Sequence, residues 1–271
     1  QYSLYEKLSQ LDDTTQKVEI NNTGANKKYL YTPYSVSKKD VSSSLIQKDL
    51  NLKSNALFGT KNYSYTETSS VSPSELMTGS DWLNQPNKSQ KKYLDTEAVY
   101  RQFVYENYQT VDQGLEKTIA HLFDQDEFEN TGIYSISQHI RDTLTKYMKY
   151  DEKTNTQSEN VLEDFLNQKI SGNDVLFASA AVEAFRYYNI PARYVEGYLL
   201  KSDAIDEEGN ATLTSKDGHA WVEVYFDGMG WLPIDVTPGY YYDVYTLMNM
   251  VATPQEDNSQ VNIEKGHKDS Q

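Results

Sequence analysis

The stretch 171–239 constrains the fold more than the rest of the chain. It opens on Gly172 and Asp174 and runs to Asn189 with Ala178, Ser179, Ala180, Ala181 and Ala184 crowding its middle. Small side chains on several faces suit a helix buried on all sides, where other backbones come close. Pro191 biases Ile190 away from helical dihedrals and ends that segment. Residues 192–201 read as a strand, and 202–216 are polar and acidic around Gly209, which predicts a loop. Residues 219–226 and 231–236 read as two more strands, and Asp227, Gly228, Met229 and Gly230 between them signal a hairpin. A buried helix, a strand and a hairpin thus follow one another along this stretch.

Upstream the texture changes twice. Residues 1–92 are rich in Ser, Thr, Asn, Lys and Tyr. Val18 alternates with Ile20, Leu30 less cleanly with Tyr34, and Tyr63 with Tyr65. These patterns predict short strands joined by long polar loops, an N-terminal β-containing or irregular region. A second region, 93–253, is expected to form the core, and from about Asp95 its period becomes helical. Asp95 or Thr96 is the expected start of a helix that places Val99, Phe103 and Val104 on one face. Leu115, Ile119 and Leu122 repeat the spacing. So do Ile136, Ile140, Leu144 and Tyr147, with Ser135 or Ser137 as the expected N-cap. Val161, Leu162, Phe165 and Leu166 form a further short helical pattern. Residues 254–271 are polar, and a disordered tail is expected there.

Charge and composition narrow the partners. The net charge is −15, so neither a nucleic-acid nor an anionic-lipid partner is expected, because phosphate repulsion would have to be overcome locally. There is no cysteine, which removes disulfides, thiolate metal sites and thiol catalysis together. No stretch approaches the roughly 20 apolar residues of a membrane span, and no basic-then-apolar leader is visible. No cofactor is expected. Only 38% of residues are hydrophobic, but aromatic residues make up 13%, enough for a core when tyrosines bury rings and keep hydroxyls wet.

Four motifs follow in order: GNDVLFA from Gly172, IPARYVEGY from Ile190, GHAW from Gly218 and GWLPIDVTPG from Gly230. Together they resemble the transglutaminase-like superfamily, whose papain-type core carries out Cys–His–Asp acyl transfer, and the resemblance implies an α+β fold with helices packed on an antiparallel sheet. The family pattern at the first motif is GxCxxFA, and Asp174 stands where the family has its nucleophilic cysteine. The lead-in IRDTLTKYMKYD and VLEDFLNQ, YTPY at 31–34 and FVYENY at 103–108 look like bacterial membrane-anchored Gram-positive members. That resemblance implies an extracytoplasmic, cell-surface domain anchored by transmembrane segments outside this sequence.

Carried over by position, the resemblance implies a catalytic set of Asp174, His219 and Asp235. In the family the cysteine sits at a helix N-terminus, where N–H groups and the macrodipole stabilise a thiolate. The histidine moves protons and the aspartate fixes its tautomer. Each residue also has a structural reading. His219 could be a hydrogen-bonded strand histidine. Asp235 could bind the backbone of the turn at Thr237, Pro238 and Gly239. Asp174 could serve only as an N-cap or first-turn acid, with Asn173 and Ser171 as competing caps. If both aspartates flank His219, two negative charges favour imidazolium and raise its pKa.

Other residues are expected to shape the cleft. Gly172 permits the turn and close backbone approach. Trp221 packs beside the cleft, Trp231 caps the hairpin, and Phe177 and Ala178 lie in the core. Arg193 is expected to pair with Glu196 or Glu183. Tyr240 begins an aromatic run through Tyr242 that forms a packed edge or a sugar- or peptide-binding rim. The acidic residues Asp203, Asp206, Glu207 and Glu208 lack ordered calcium-loop spacing and read as a solvated loop placed where a lid would hang.

These readings imply an inactive transglutaminase-like module that binds a peptide, a cell-wall component or a partner protein domain. Two alternatives stay open. One is an active hydrolase or acyl-transferase on peptide or amide substrates that uses Asp174, His219 and Asp235 without a thiol. The other is a metal site made from the same Asp, His and Asp side chains.

Overall fold

A computed structural model describes residues 8, 15–33, 36, 40, 46–47, 51–68, 79–123, 131–154, 158 and 160–241. The tail expected over 254–271 lies outside the described residues, as do Tyr34 and Tyr242. In the N-terminal region, β1 (Thr15–Asn21) pairs antiparallel with β4 (Asn62–Thr68), so the Val18/Ile20 and Tyr63/Tyr65 alternations both become strands. A second short antiparallel pair joins β2 (Ile46–Gln47) to β3 (Asn51–Leu52). Leu30 lies in a loop instead, its N–H donating to the Leu52 carbonyl.

The helices are α1 (Lys88–Tyr108), α2 (Glu116–Leu122), α3 (Ile133–Tyr147), α4 (Val161–Gln168) and α5 (Asp174–Tyr187). Two of their starts differ from expectation. The first helix begins at Lys88, not at Asp95 or Thr96, because Asn87 and Gln90 form a reciprocal capping box. Its inward face carries Gln90, Tyr93, Glu97, Val104 and Tyr108, whereas Val99 is 73% exposed and Phe103 is exposed as well. Polar residues that find partners displace apolar ones from the buried side. Glu97 accepts from Tyr225 Oη at 2.7 Å and from the Gly228 N–H at 3.1 Å. The third helix starts at Ile133 behind Gly132, with no side-chain cap. Neither Ser135 nor Ser137 caps it; the Ser137 hydroxyl donates to the Ile133 carbonyl inside the helix.

The helix α5 is the pivot of the main core. Ala178, Ala180, Ala181 and Ala184 are buried together with Leu176, Phe177 and Phe185. Each such phenylalanine contributes about 1.5–3 kcal/mol by leaving water. The helix ends at Tyr187, two residues short of the expected Asn189. Asn189 takes φ 59°, a left-handed conformation that asparagine tolerates, and the Ile190 N–H closes on the Phe185 carbonyl at 2.9 Å.

Three strands form an antiparallel sheet with β6 in the centre: β5 (Ala192–Tyr198), β6 (Gly218–Phe226) and β7 (Gly230–Ile234). The expected hairpin through 227–230 joins the last two. Alternation along β6 sends Val222, Val224 and Phe226 into the main core and Tyr225 into a second cluster with Val104, Tyr108 and Trp231. One side of the sheet is therefore packed by α5 and the other by α1. The loop 202–216 carries two short 3₁₀ turns, Ser202–Ala204 and Ser215–Asp217.

Candidate active site

Three elements meet at one imidazole. His219 is the second residue of β6, Asp174 is the first residue of α5, and Asp235 follows the last residue of β7. Register explains the convergence. Gly197 lies opposite His219 and Ile234 lies opposite Val222, so the residue after Ile234 falls beside the start of β6. The other end of the arrangement is set by Gly172. Its N–H donates to the Lys149 carbonyl and its own carbonyl accepts from the Asp151 N–H, both at 2.9 Å. A Cβ on Gly172 would lie 2.5 Å from Phe165 Cε2, so it is a packed side chain, not the expected close backbone approach, that leaves no room for one here.

Asn173, not Asp174, caps α5: its side chain accepts from the Leu176 N–H at 3.3 Å. Asp174 is thereby released for other partners. Its Oδ2 lies 3.1 Å from His219 Nδ1 and accepts from the Ala220 N–H at 2.8 Å. On the opposite side of the ring, His219 Nε2 lies 2.5 Å from Asp235 Oδ2. Asp235 Oδ1 accepts from the Thr237 N–H at 2.9 Å, so Asp235 joins the ring and braces the following turn at once.

A neutral imidazole has one donor and one acceptor nitrogen, while carboxylates only accept. Both ring contacts are satisfied together only by imidazolium. Burial alone would push the His219 pKa down, but the hydrogen bonds to Asp174 and Asp235 and their charges outweigh it and raise the pKa to about 9. For Asp174, burial works against ionisation. The bonds from His219 and the Ala220 N–H prevail and hold its pKa below the ordinary value of 3.8. The ion pair is therefore charged at neutral pH.

Aromatic rings enclose the imidazole. Tyr240 stacks on it at 4.4 Å with an interplanar angle of 23°, and Trp221 lies at 6.3 Å and 20°. Tyr240 also meets Tyr150 edge-on at 6.2 Å, and Tyr150 meets Phe177 in the same way. Gly197 makes room for Trp221, since a Cβ there would come within 2.8 Å of the indole.

Several partners escaped sequence reasoning. Arg141, on α3, donates to the backbone carbonyl of Asp235 at 3.2 Å and lies over the Tyr241 ring at 4.5 Å. Its one visible signal is a basic residue on the apolar face of a helix. Tyr150 joins the site through the bridge with Gly172. Arg193 pairs with neither Glu196 nor Glu183 but with Glu223, at 2.8 Å from Nε and 2.7 Å from Nη2, and stacks over Trp231. Antiparallel register places Arg193 directly across from Glu223, which no helix-style spacing reveals. Glu183 pairs with Arg186 instead, and Glu196 accepts from the Tyr194 hydroxyl. Trp231 donates its indole N–H to Tyr100 Oη across to α1. Asp203, Glu207 and Glu208 are exposed on the acidic loop, as expected for a solvated segment.

Asp174 and Asp235 address opposite ring nitrogens, so the three side chains do not converge on one point. Among the described residues no group of three His, Cys, Asp or Glu side chains is placed to hold a metal ion.

A helix N-terminus, a histidine on the central strand and an aspartate after the next strand are thus joined through one imidazole in an α+β fold. Residues 124–236 match the family model of the transglutaminase-like superfamily. The chain contains a domain of that superfamily. It is 37% identical over 87 residues to the uncharacterized protein YebA of Bacillus subtilis (strain 168), a match covering 30% of this chain and 12% of that protein. It is 38% identical over 77 residues to a protein-glutamine gamma-glutamyltransferase of Pseudomonas aeruginosa, covering 28% of this chain and 11% of that one. The matches thus span only about a tenth of these relatives' own lengths. In fold, the chain resembles the crystal structure of the periplasmic domain of TgpA from Pseudomonas aeruginosa. The TM-score is 0.50 at 17% identity, covering 82% of this chain and 68% of that one.

Proposed function

We propose that this chain is a catalytically silent transglutaminase-like module that binds, without cutting, a peptide, a cell-wall component or a partner domain. The observation that carries the reading is the bond between Asp174 Oδ2 and His219 Nδ1. In this reading a carboxylate stands where the superfamily reaction needs a thiolate. A carboxylate is a poor nucleophile toward an unactivated amide. This one is further quenched by the Ala220 N–H and by its cationic partner. A histidine that holds its proton up to about pH 9 is also a poor general base at neutral pH.

An extracytoplasmic location is part of the proposal. It is supported by the structural likeness to a domain described as periplasmic. An anchor in segments outside this sequence belongs to the same proposal; no described helix is long and apolar enough to cross a membrane. Tyr240, Trp221 and the turn at Gly172 would form the binding rim. The flat faces and polar tips of such aromatic residues suit sugar or peptide ligands.

The test is an activity series on amide hydrolysis and acyl transfer. The native chain is expected to show no turnover above background, and Asp174→Cys is expected to gain it. Turnover by the native chain that disappears in Asp174→Ala would overturn the proposal in favour of a carboxylate-based hydrolase.

A further inference from the structure

In the N-terminal region, Leu57 and Phe58 stand side by side at 83% and 87% exposure, the most exposed large apolar residues described. They are held out by an ordered turn. The Gly59 N–H closes on the Ala56 carbonyl at 2.9 Å, and the Ala56 N–H donates to Ser54 Oγ at 3.1 Å. The Thr60 N–H and the Ser54 N–H then donate to the carbonyls of Lys27 and Lys28, at 2.8 and 2.9 Å. Gly59 has φ 78°, and a Cβ there would overlap the Lys27 carbonyl, so the two loops are locked backbone to backbone.

The charge around this tip reverses that of the chain. Segments 20–34 and 50–66 hold Lys27, Lys28, Lys53 and Lys61 and no acidic residue, in a protein with 40 acidic and 25 basic side chains. Tyr29, partly exposed, lies beside them with Lys53 Nζ 5.8 Å above its ring. From this juxtaposition we propose that the 53–61 turn is a docking tip for an anionic lipid surface, with Leu57 and Phe58 entering the acyl boundary and the lysines gripping the headgroups. Both side chains stand clear of the protein at more than four-fifths exposure, which suits insertion into a yielding surface. Lysines collar an apolar wedge and a tyrosine sits at headgroup level, which is how interfacial anchors combine apolar burial with attraction to anionic lipid. The negative remainder of the chain would turn away from the same surface and so orient the molecule.

The proposal is independent of the cleft and is tested without it. The full chain is floated with phosphatidylglycerol-containing vesicles and with pure phosphatidylcholine vesicles, at low and high salt. Binding is expected to the anionic vesicles alone and to weaken at high salt. It should fall by roughly tenfold or more in Leu57→Ser/Phe58→Ser and also in Lys28→Gln/Lys53→Gln/Lys61→Gln. A Phe58→Trp variant should show blue-shifted indole emission with anionic vesicles. Thermal melts should be unchanged in the serine variant, because both side chains already face water. No binding to anionic vesicles, or equal binding by the serine variant, overturns the proposal. So does concentration-dependent self-association that the serine variant abolishes while vesicle binding is absent, which would assign the tip to a second copy of the chain.

Discussion

His219 Nδ1 and Asp174 Oδ2 stand 3.1 Å apart at the mouth of α5, while His219 Nε2 is held by Asp235 at 2.5 Å. One ring is shared by two carboxylates, and the charge state of the site follows from that sharing.

The first prediction concerns pH. The folded pKa of His219, about 9, lies above its ordinary value of 6.5. Its contribution to stability is therefore complete below 6.5 and is lost as pH rises through about 9. Asp174 works in the opposite sense. Its contribution is complete above 3.8 and is lost as pH falls through its depressed folded value. Stability should plateau in weak acid and decline on the alkaline side. NMR titration should place His219 near 9, and Asp174→Asn should lower that value. A native value at or under 6.5 would contradict the charged pair.

Restoring sulfur gives a second test. The native chain contains no cysteine, so Asp174→Cys carries a single thiol. At a helix N-terminus beside His219 that thiol should ionise well below the ordinary value of about 8.5. The rate of alkylation by iodoacetamide, followed against pH, reports this directly. A rate that rises only as an ordinary thiol ionises would mean that the helix end and imidazole do not act on residue 174.

Two glycines should resist enlargement. Gly172→Ala drives a methyl into Phe165 and Gly197→Ala drives one into Trp221, with unrelaxed approaches of 2.5 and 2.8 Å. Each should cost about 1–3 kcal/mol in urea unfolding. Gly24→Ala, whose added methyl meets nothing within 4 Å, is the control and should stay near wild type.

The Arg193–Glu223 pair spans neighbouring strands with Glu223 only 5% exposed. Arg193→Met should cost about 3–5 kcal/mol, because a buried carboxylate then loses its partner. Arg193→Met/Glu223→Leu should recover much of that loss. Denaturant midpoints of the two variants decide it, and equal stability of the single variant and wild type would deny the pair any structural weight.

The central helix and the hairpin were legible because local patterns encode them, whereas Asp174, His219 and Asp235 were singled out as a set only through the family resemblance of their motifs. Clustered alanines announce a buried helix, and two glycines between two β-alternating runs announce a turn. Less legible were features that depend on partners far away in the chain. Val99 and Phe103 have helical spacing, yet the buried face of α1 runs through Glu97, whose carboxylate meets Tyr225 and Gly228. Arg193 found its acid through strand register, and Arg141 reached Asp235 from a helix whose periodicity names only apolar residues. The Asn87–Gln90 cap was readable in principle, but the lysines that follow it hid the start of the helix.

The stacked ring of Tyr240 gives the groove its own reporter. An imidazole held 4.4 Å beneath one aromatic face and near a second experiences their ring currents, so its carbon-bound protons should resonate upfield of their usual positions. Any molecule that enters the groove by lifting Tyr240 would remove that shielding. Two proton signals of a single histidine would then register occupancy before the identity of the guest is known.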